Sequence, residues 1–265
     1  MTIRFCSLAS GSSGNCHFVS NDKEALLIDA GLSGKKIQGK LEEIGVSPAQ
    51  LTGILISHEH SDHIHSAGIL SRRFNIPIYA NEGTWKGMEC KLGELKENNI
   101  KLFNTNKSFS IGDITIMPYA TSHDANESVG FSFHCNKIKI SITTDLGYID
   151  GNIIDRIKDS NLVVLESNHD EEMLKAGSYP YYLKRRILSD HGHLSNDAAG
   201  WAIVDLVKNN VHKVMLAHLS KENNFPELAI ATVEGILKAN QVDVGRDIIL
   251  DLASRDRISN LYQFK

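Results

Sequence analysis

Ser57-His58-Glu59-His60-Ser61-Asp62-His63 is the stretch on which the reading of this chain turns. It closes the apolar run 53–57, which predicts a short buried strand. In extended backbone, residues two apart point the same way, so His58 and His60 can share one cation. The segment 62–74 predicts a helix. Asp62 is placed to cap it, and Ile64, Ala67, Leu70 and Phe74 recur at helical spacing. Where strand gives way to helix, Asp62 and His63 can face a second cation beside the first. Imidazole nitrogens and carboxylate oxygens suit zinc, manganese or iron. A solvated polar loop is the bland alternative, but three histidines and an aspartate within six residues have little structural purpose otherwise.

Four side chains cannot saturate two cations, so further ligands are expected at the ends of other strands. The run 114–120 predicts a strand, and His123 follows it. The run 137–143 is followed by Asp145 in Thr144-Asp145-Leu146-Gly147. The run 213–217 is followed by His218 in Leu216-Ala217-His218-Leu219-Ser220. Each is a lone polar residue just past an apolar strand, where an α/β sheet exposes its site. Singly, each reads equally well as a cap or a core residue; together, in this order, they read as a ligand set.

The rest of the pattern fills in around them. Strands are predicted at 3–8, 16–19, 25–28, 129–134, 162–166 and 247–250, with a hairpin turn at Cys135-Asn136-Lys137. Helices are predicted at 33–44, capped by Ser33, and at 149–157, 195–207 and 226–239. Each half runs from strands into helices. This fits an α/β class chain of two packed sheets with helices outside. No linker or low-complexity tract divides it, so one domain over 1–265 is expected.

Composition narrows the class. Of 265 residues, 42% are hydrophobic and 23% charged, an ordinary globular balance. No window reaches ~18 uninterrupted apolar residues, so no membrane span is expected. The first ten residues lack a basic segment followed by an apolar run, so no secretory signal is expected and the cytoplasm is the expected location. Cys6, Cys16, Cys90 and Cys135 form no CxxC pair and are expected to be reduced. The formal net charge of −4 gives no global attraction for nucleic acid. Binding it would need a local basic surface.

The series HxHxDH, then His, Asp and His, resembles the metallo-β-lactamase superfamily over nearly the whole chain. The resemblance implies a four-layer αββα sandwich. It implies one metal ion held by His58, His60 and His123 and a second held by Asp62, His63 and His218, with Asp145 bridging. Asp62 counts among the catalytic residues as well as the ligands. Asp29, in Ile28-Asp29-Ala30-Gly31, matches an early strand-end aspartate that supports the ligands from behind. A turn aspartate before Gly31 is the competing reading. Two divalent ions, zinc or manganese, are implied as cofactors. Such a pair lowers the pKa of a shared water towards ~7 and suits attack on phosphorus. A cysteine at 145 or 218 would point to other branches, and neither is present.

Two further stretches resemble the phosphodiesterases of this superfamily. Val164-Leu165-Glu166-Ser167-Asn168 matches a strand-end glutamate motif. His191-Gly192-His193-Leu194-Ser195 matches a Gly-His-(Ser/Thr) motif before a helix. The resemblance assigns His193 to protonating the departing oxygen and Glu166 to orienting it. The competing reading makes Glu166 a helix cap and His193 a helix-entry residue, with His191 or His169 in the catalytic place.

The stretch 9–16, with 192–196 and 217–220, is similar to the YycJ/WalJ group of bacterial cytoplasmic exonucleases, which degrade double-stranded DNA 5′-to-3′. Duplex ends are then the implied substrate. Gly11 and Gly14 permit tight turns that converge backbone N–H groups on an anion, with Ser12, Ser13 and Asn15 adding donors. A plain hairpin turn explains them equally well. Lys184 and Arg185 are expected to meet phosphates, and Ser195 and Asn196 are assigned to the substrate. Tyr179, Tyr181 and Tyr182 beside them read preferentially as the buried face of an amphipathic helix. The chain has no room between Asp145 and His218 for an RNA-exonuclease cap domain, no arm suited to clamping tRNA, and no helical thioesterase domain after His218. A small-nucleotide phosphodiesterase, a thioesterase or lactamase, and a metal-loaded binding module remain the alternatives.

Overall fold

On β1 (Ile3–Ala9), Ile3 and Phe5 enter one buried cluster while Cys6 and Leu8 enter another. A strand that is apolar on both faces needs cover on both sides. The computed structural model, which describes residues 2–265, supplies that cover in layers; Met1, where the expected domain begins, lies outside the described residues.

Seven strands form the first sheet, in the order β14-β1-β2-β3-β4-β5-β6. They are β1, β2 (Cys16–Ser20), β3 (Ala25–Ile28), β4 (Gly53–Leu55), β5 (Ile78–Ala80), β6 (Ile100–Leu102) and β14 (Tyr262–Phe264). The second sheet runs β13-β12-β11-β10-β9-β8-β7. It comprises β7 (Phe109–Ile111), β8 (Ile114–Ala120), β9 (Val129–Cys135), β10 (Ile138–Thr143), β11 (Leu162–Glu166), β12 (Lys213–Ala217) and β13 (Ile249–Leu252). In each sheet an antiparallel meander passes into parallel strands, at β3–β4 and at β10–β11.

The sheets meet over a core of Phe5, Val19, Ile28, Ile116, Phe131, Phe133, Ile142, Val164 and Met215. Against the outer face of the first sheet pack α1 (Gly34–Glu43), α2 (Ser61–Ile64), α3 (Ala67–Phe74) and α4 (Glu82–Leu92), through Ile37, Leu41, Ile64, Leu70, Trp85 and Met88. The second sheet is covered by α5 (Gly151–Ile157), α8 (Asn196–Lys208) and α9 (Pro226–Ala239), while α6 (Glu171–Ala176) and α7 (Tyr181–Ile187) lie between β11 and α8 in sequence. The result is two mixed sheets flanked by helices, the four-layer αββα arrangement of an α/β chain. No helix among the described residues is long and apolar enough to cross a membrane. All four cysteines are free, three of them buried.

Several boundaries depart from expectation. The helix expected over 62–74 is two helices, and Asp62 does not cap it; His60 holds that position without a side-chain bond. The break has a local cause. Ser66 gives its N–H to the Ala30 carbonyl, the backbone donor a continuous helix would need, and its hydroxyl fastens the same loop after β3 at Leu32. The last expected strand falls at Ile249–Leu252 rather than 247–250. The three-residue strands β5, β6, β7 and β14 and the helix α4 were not expected, since so short a strand carries no readable alternation.

Strand direction places the site. The C-terminal ends of β1, β3 and β4 share one edge of the first sheet, and those of β8, β10, β11 and β12 share one edge of the second. The edges are joined where Val129 N–H donates to Ser57 O and His218 N–H donates to Ser10 Oγ. Tyr119 braces this edge. Its ring lies over Gly130, the cross-strand neighbour, and its hydroxyl lies 2.6 Å from Thr143 Oγ1, two residues before Asp145. A Cβ on Gly130 would come within 2.5 Å of that ring. Gly130→Ala is therefore expected to lower stability by roughly 1–3 kcal/mol through overpacking. Urea unfolding measures it, and an unchanged midpoint would show that the ring yields freely.

Candidate metal centre

Asp29, His58, His123, Asp145 and His218 sit one to three positions past strand ends, while His60, Asp62 and His63 follow His58 at the entry and in the first turn of α2. Asp29, Asp145 and His218 all take left-handed φ values, of 62°, 58° and 56°. That conformation turns the chain off the sheet within a single residue. Aspartate tolerates it; histidine does so at some cost.

Two groups of side chains meet there. In the first, His58 Nε2 and His60 Nδ1 lie 3.1 Å apart, and His123 Nε2 lies 3.3 Å from the same His60 nitrogen. One nitrogen from each of these three rings falls within 4.8 Å of the others. In the second, Asp145 Oδ2 lies 3.4 Å from both His63 Nε2 and His218 Nδ1, and Asp62 Oδ2 lies 3.4 Å from His63 Nε2. Asp145 Oδ1, 3.9 Å from His123 Nε2, faces the first group. The structure thus brings the seven expected ligands together, with Asp145 between the two groups.

The chemistry of this set fits cations. Asp145 Oδ2 and His218 Nδ1 are buried and have no hydrogen-bond partner. Leaving buried polar atoms unpaired costs about 1–3 kcal/mol each, and a coordinated ion removes that cost. Protonation points the same way. Burial pushes the Asp145 carboxyl up, but His218, His63, His58 and His123 outweigh it and hold the group ionised well below the usual range. Burial drives His58 well below its usual value, reinforced by His63, so it is neutral with a free lone pair. Burial also opposes charge on His63, but Asp145, Asp29 and Asp62 prevail and raise it well above its usual value. A proton on His63 stands where a cation would, and metal uptake must displace it.

Asp29 supports the ligands from behind. Its Oδ2 lies 2.7 Å from His63 Nδ1 and accepts the Ser57 hydroxyl, and its Oδ1 accepts the Ser57 N–H. This fixes the ring and leaves Nε2 to face Asp145. Ser57, part of this support, was not singled out from sequence. A further buried carboxylate, Glu166, is fully enclosed. Its Oε1 lies 2.8 Å from His193 Nδ1 and its Oε2 accepts the Leu146 N–H. It caps no helix. Burial opposes charge on His193, but Glu166 dominates and the ring's pKa rises to about 9. His193 lies at the rim of the ligand set, with Nδ1 3.8 Å from Asp145 Oδ1 and its ring stacked on His218. The rival His191 is exposed, with Ser122 the one partner of its ring among the described residues, while His169 is buried with neither ring nitrogen partnered.

The expected substrate contacts divide. Ser12 and Ser13 are exposed at the tip of the 11–14 turn. Asn15 is buried. Its Oδ1 accepts the Gly11 N–H, and its Nδ2 lies 3.1 Å from His63 Nε2, so it ties the turn to the ligands rather than facing solvent. Ser195 and Asn196 must be corrected. Ser195 caps α8 and is buried. Asn196 is wholly enclosed and bonded to Ser167 and Asn224, so neither can meet a substrate. Lys184 also needs correction, because its ammonium is spent on the carbonyls of Lys175 and Gly177. Arg185 is exposed beside Tyr181. Tyr181 and Tyr182 are 76% and 74% exposed, not core residues, because α7 has no layer to pack against. The sequence reading also missed the pairing of Arg186 with Asp124, which ties α7 to the residue after His123. A charged neighbour of a ligand histidine was its only signal.

A beta-lactamase superfamily domain model matches residues 24–219. The chain is 42% identical over 245 residues to the exodeoxyribonuclease YycJ of Bacillus anthracis, covering 92% of this chain and 93% of that protein. It is 42% identical over 247 residues to the exodeoxyribonuclease WalJ of Streptococcus pneumoniae, covering 92% of each. In structure it resembles the metallo-beta-lactamase fold protein YhfI from Bacillus subtilis, with a TM-score of 0.76 and 15% identity over the full length of both chains.

The geometry sets an order of effects on metal. His58→Ala and Asp145→Ala are expected to abolish retention of divalent metal with the far-UV spectrum preserved. Asp29→Ala is expected to weaken it by about 10–100-fold. Metal analysis after dialysis against graded chelator checks all three. Wild-type retention in Asp145→Ala would remove that residue from the centre.

Proposed function

The chain belongs to the metallo-β-lactamase superfamily, within the YycJ/WalJ group, and from that premise we propose that this hydrolase is a dinuclear-metal exonuclease degrading double-stranded DNA 5′-to-3′. The observation that carries the reading is the Glu166–His193 pair set against Asp145 at the rim of the ligand cluster. Hydrolysis of a phosphodiester expels a sugar oxygen, which leaves far more readily if it is protonated as it departs.

His58, His60 and His123, and Asp62, His63 and His218 with Asp145 between, would hold two divalent ions, zinc or manganese, which would supply Lewis acidity and activate a water when bound. Around them the protein's own groups orient and move protons. Glu166 accepts the Nδ1 proton of His193, which leaves Nε2–H to face the departing oxygen. The same carboxylate keeps the ring protonated at neutral pH, so the donor is charged before the substrate arrives. Asp29 holds the His63 ring in register. The cavity beside His193 measures about 150 Å³ and is lined by Ser12, Asp124, Arg186 and Gly192. A space of that size favours attack at a chain end over attack within a continuous duplex. It would also serve a small-nucleotide phosphodiesterase, the second reading. The DNA would meet the enzyme in the cytoplasm.

A plasmid digest with added divalent metal separates these readings. Linearised DNA is expected to disappear while closed-circular DNA survives; loss of neither favours a small phosphodiester, and loss of both an endonuclease. His193→Ala is expected to retain metal yet slow turnover by about 10²–10⁴-fold. Glu166→Gln removes the charge that raises the His193 pKa. A general acid loses activity as pH rises through its pKa, so the alkaline limb of the rate profile is expected to move to lower pH. An unmoved limb would rule the pair out as the proton donor.

A further inference from the structure

The Gly11–Gly14 turn divides two clefts at the active-site edge. Ser12 lines the small one that contains His193. Ser13 lines a larger one of about 430 Å³, with Leu32, Lys36, Lys40, Glu43, Arg255 and Asp256. The turn cannot drift between them. A Cβ on Gly14 would meet Gly31 O at 2.9 Å, and one on Gly11 would meet Arg255 Nε at 3.2 Å, so the turn is pressed between those two segments. Asn15 then fastens it to His63. The larger cleft is fixed to the ligand set on its other side too, because Arg255 Nη2 donates to the carbonyl of Leu219, the residue after His218.

The lining of this cleft is that of an anion site. Three cationic side chains face two carboxylates, Glu43 and Asp256, and Leu32 is the one apolar side chain among them. Lys36 and Lys40 are one turn apart on α1, about 6 Å along its axis, so a single extended strand can meet both. On the opposite flank Arg186 is answered by the Asp124 carboxylate, Lys184 turns onto backbone carbonyls and Arg185 stands exposed, while in the cleft Lys40 donates to the Asp256 carbonyl and Arg255 to that of Leu219, bonds that leave both charges unneutralised. A protein of net charge −4 needs concentrated cations to hold a polyanion, and the cleft gathers three in one lining.

We infer that the Lys36–Lys40–Arg255 cleft is a backbone-phosphate subsite: the strand whose terminal diester lies beside His193 passes over Ser12 and Ser13 and lays its next phosphates there. The inference rests on the nuclease reading of the same site. It assigns Lys36 and Lys40 to strand binding rather than to the chemistry.

The metal-loaded double variant Lys36→Ala/Lys40→Ala tests it on a 5′-phosphorylated duplex. KM is expected to rise about tenfold while kcat changes far less. The slope of log affinity against log salt, read by anisotropy with a phosphorothioate-ended duplex, is expected to flatten by about two. Lys36→Arg/Lys40→Arg is expected to restore both. Wild-type KM and salt slope in the alanine variant would overturn the subsite while leaving the nuclease reading standing, as would a fall in kcat with KM unchanged. A wild-type protein that cleaves a small chromogenic phosphodiester but neither binds nor digests DNA would overturn the nuclease reading, and the subsite with it.

Discussion

Asp145 is buried among His58, His63, His123 and His218, with one carboxylate oxygen lacking any hydrogen-bond partner. Few arrangements are harder to sustain in a protein interior. Imidazoles this close can share at most a few protons before they repel one another, and a bare carboxylate at such depth demands neutralisation. Asp145, Asp29 and Asp62 answer part of the demand by raising the His63 pKa well above its usual value against its burial. Divalent ions meet it better, since each satisfies several ligands at once. The site therefore binds metal for the same reason that it is costly without it.

That constraint reaches into the fold. Ligands converge on a point only if strands from two sheets end at a common edge and the chain leaves each strand abruptly. Asp29, Asp145 and His218 each accept a left-handed conformation to do so. Such positions cost of order 1 kcal/mol or more and persist only when their surroundings over-determine them. The surroundings here are three apolar clusters, between the sheets and beneath each helical layer. Specific ties add to them: Tyr119 to Thr143, Ser10 to His218, and Asn168 to the His218 carbonyl.

Much of this could be read from sequence because it is local. A histidine-rich heptapeptide after an apolar run, and single polar residues just past later strands, are properties of short windows. So is the helical layer, where capping residues such as Ser33 and Ser195 precede periodic apolar positions. What could not be read depends on distant partners. Ser195 and Asn196 carry donor groups that look free in a motif, but Asn224 and Ser167 take up Asn196 and enclose it. Lys184 looks like a phosphate contact until Lys175 and Gly177 claim it. Arg186 finds Asp124 across 62 positions of chain. The exposed tyrosines of α7 err in the other direction, because amphipathic spacing cannot say whether a layer lies opposite.

These losses matter to how an acidic protein treats a polyanion. Cations paired within the fold contribute shape but little attraction, so a formal count of lysines and arginines overstates the surface available to DNA. The Arg186–Asp124 pair illustrates the distinction. It anchors α7 against the loop that carries His123 and so narrows the approach to His193, but its charge is already answered. Grip must then come from residues not neutralised in this way, on the far side of a turn held by Asn15 against the ligands themselves. On the proposed reading, a surface that holds the strand apart from the groups that cleave it would let a small, buried, strongly polarised centre act on a substrate far larger than its own cavity. A strand so held would run along the protein by its phosphates, with only its terminal diester at the buried edge where Asp145 and His193 meet.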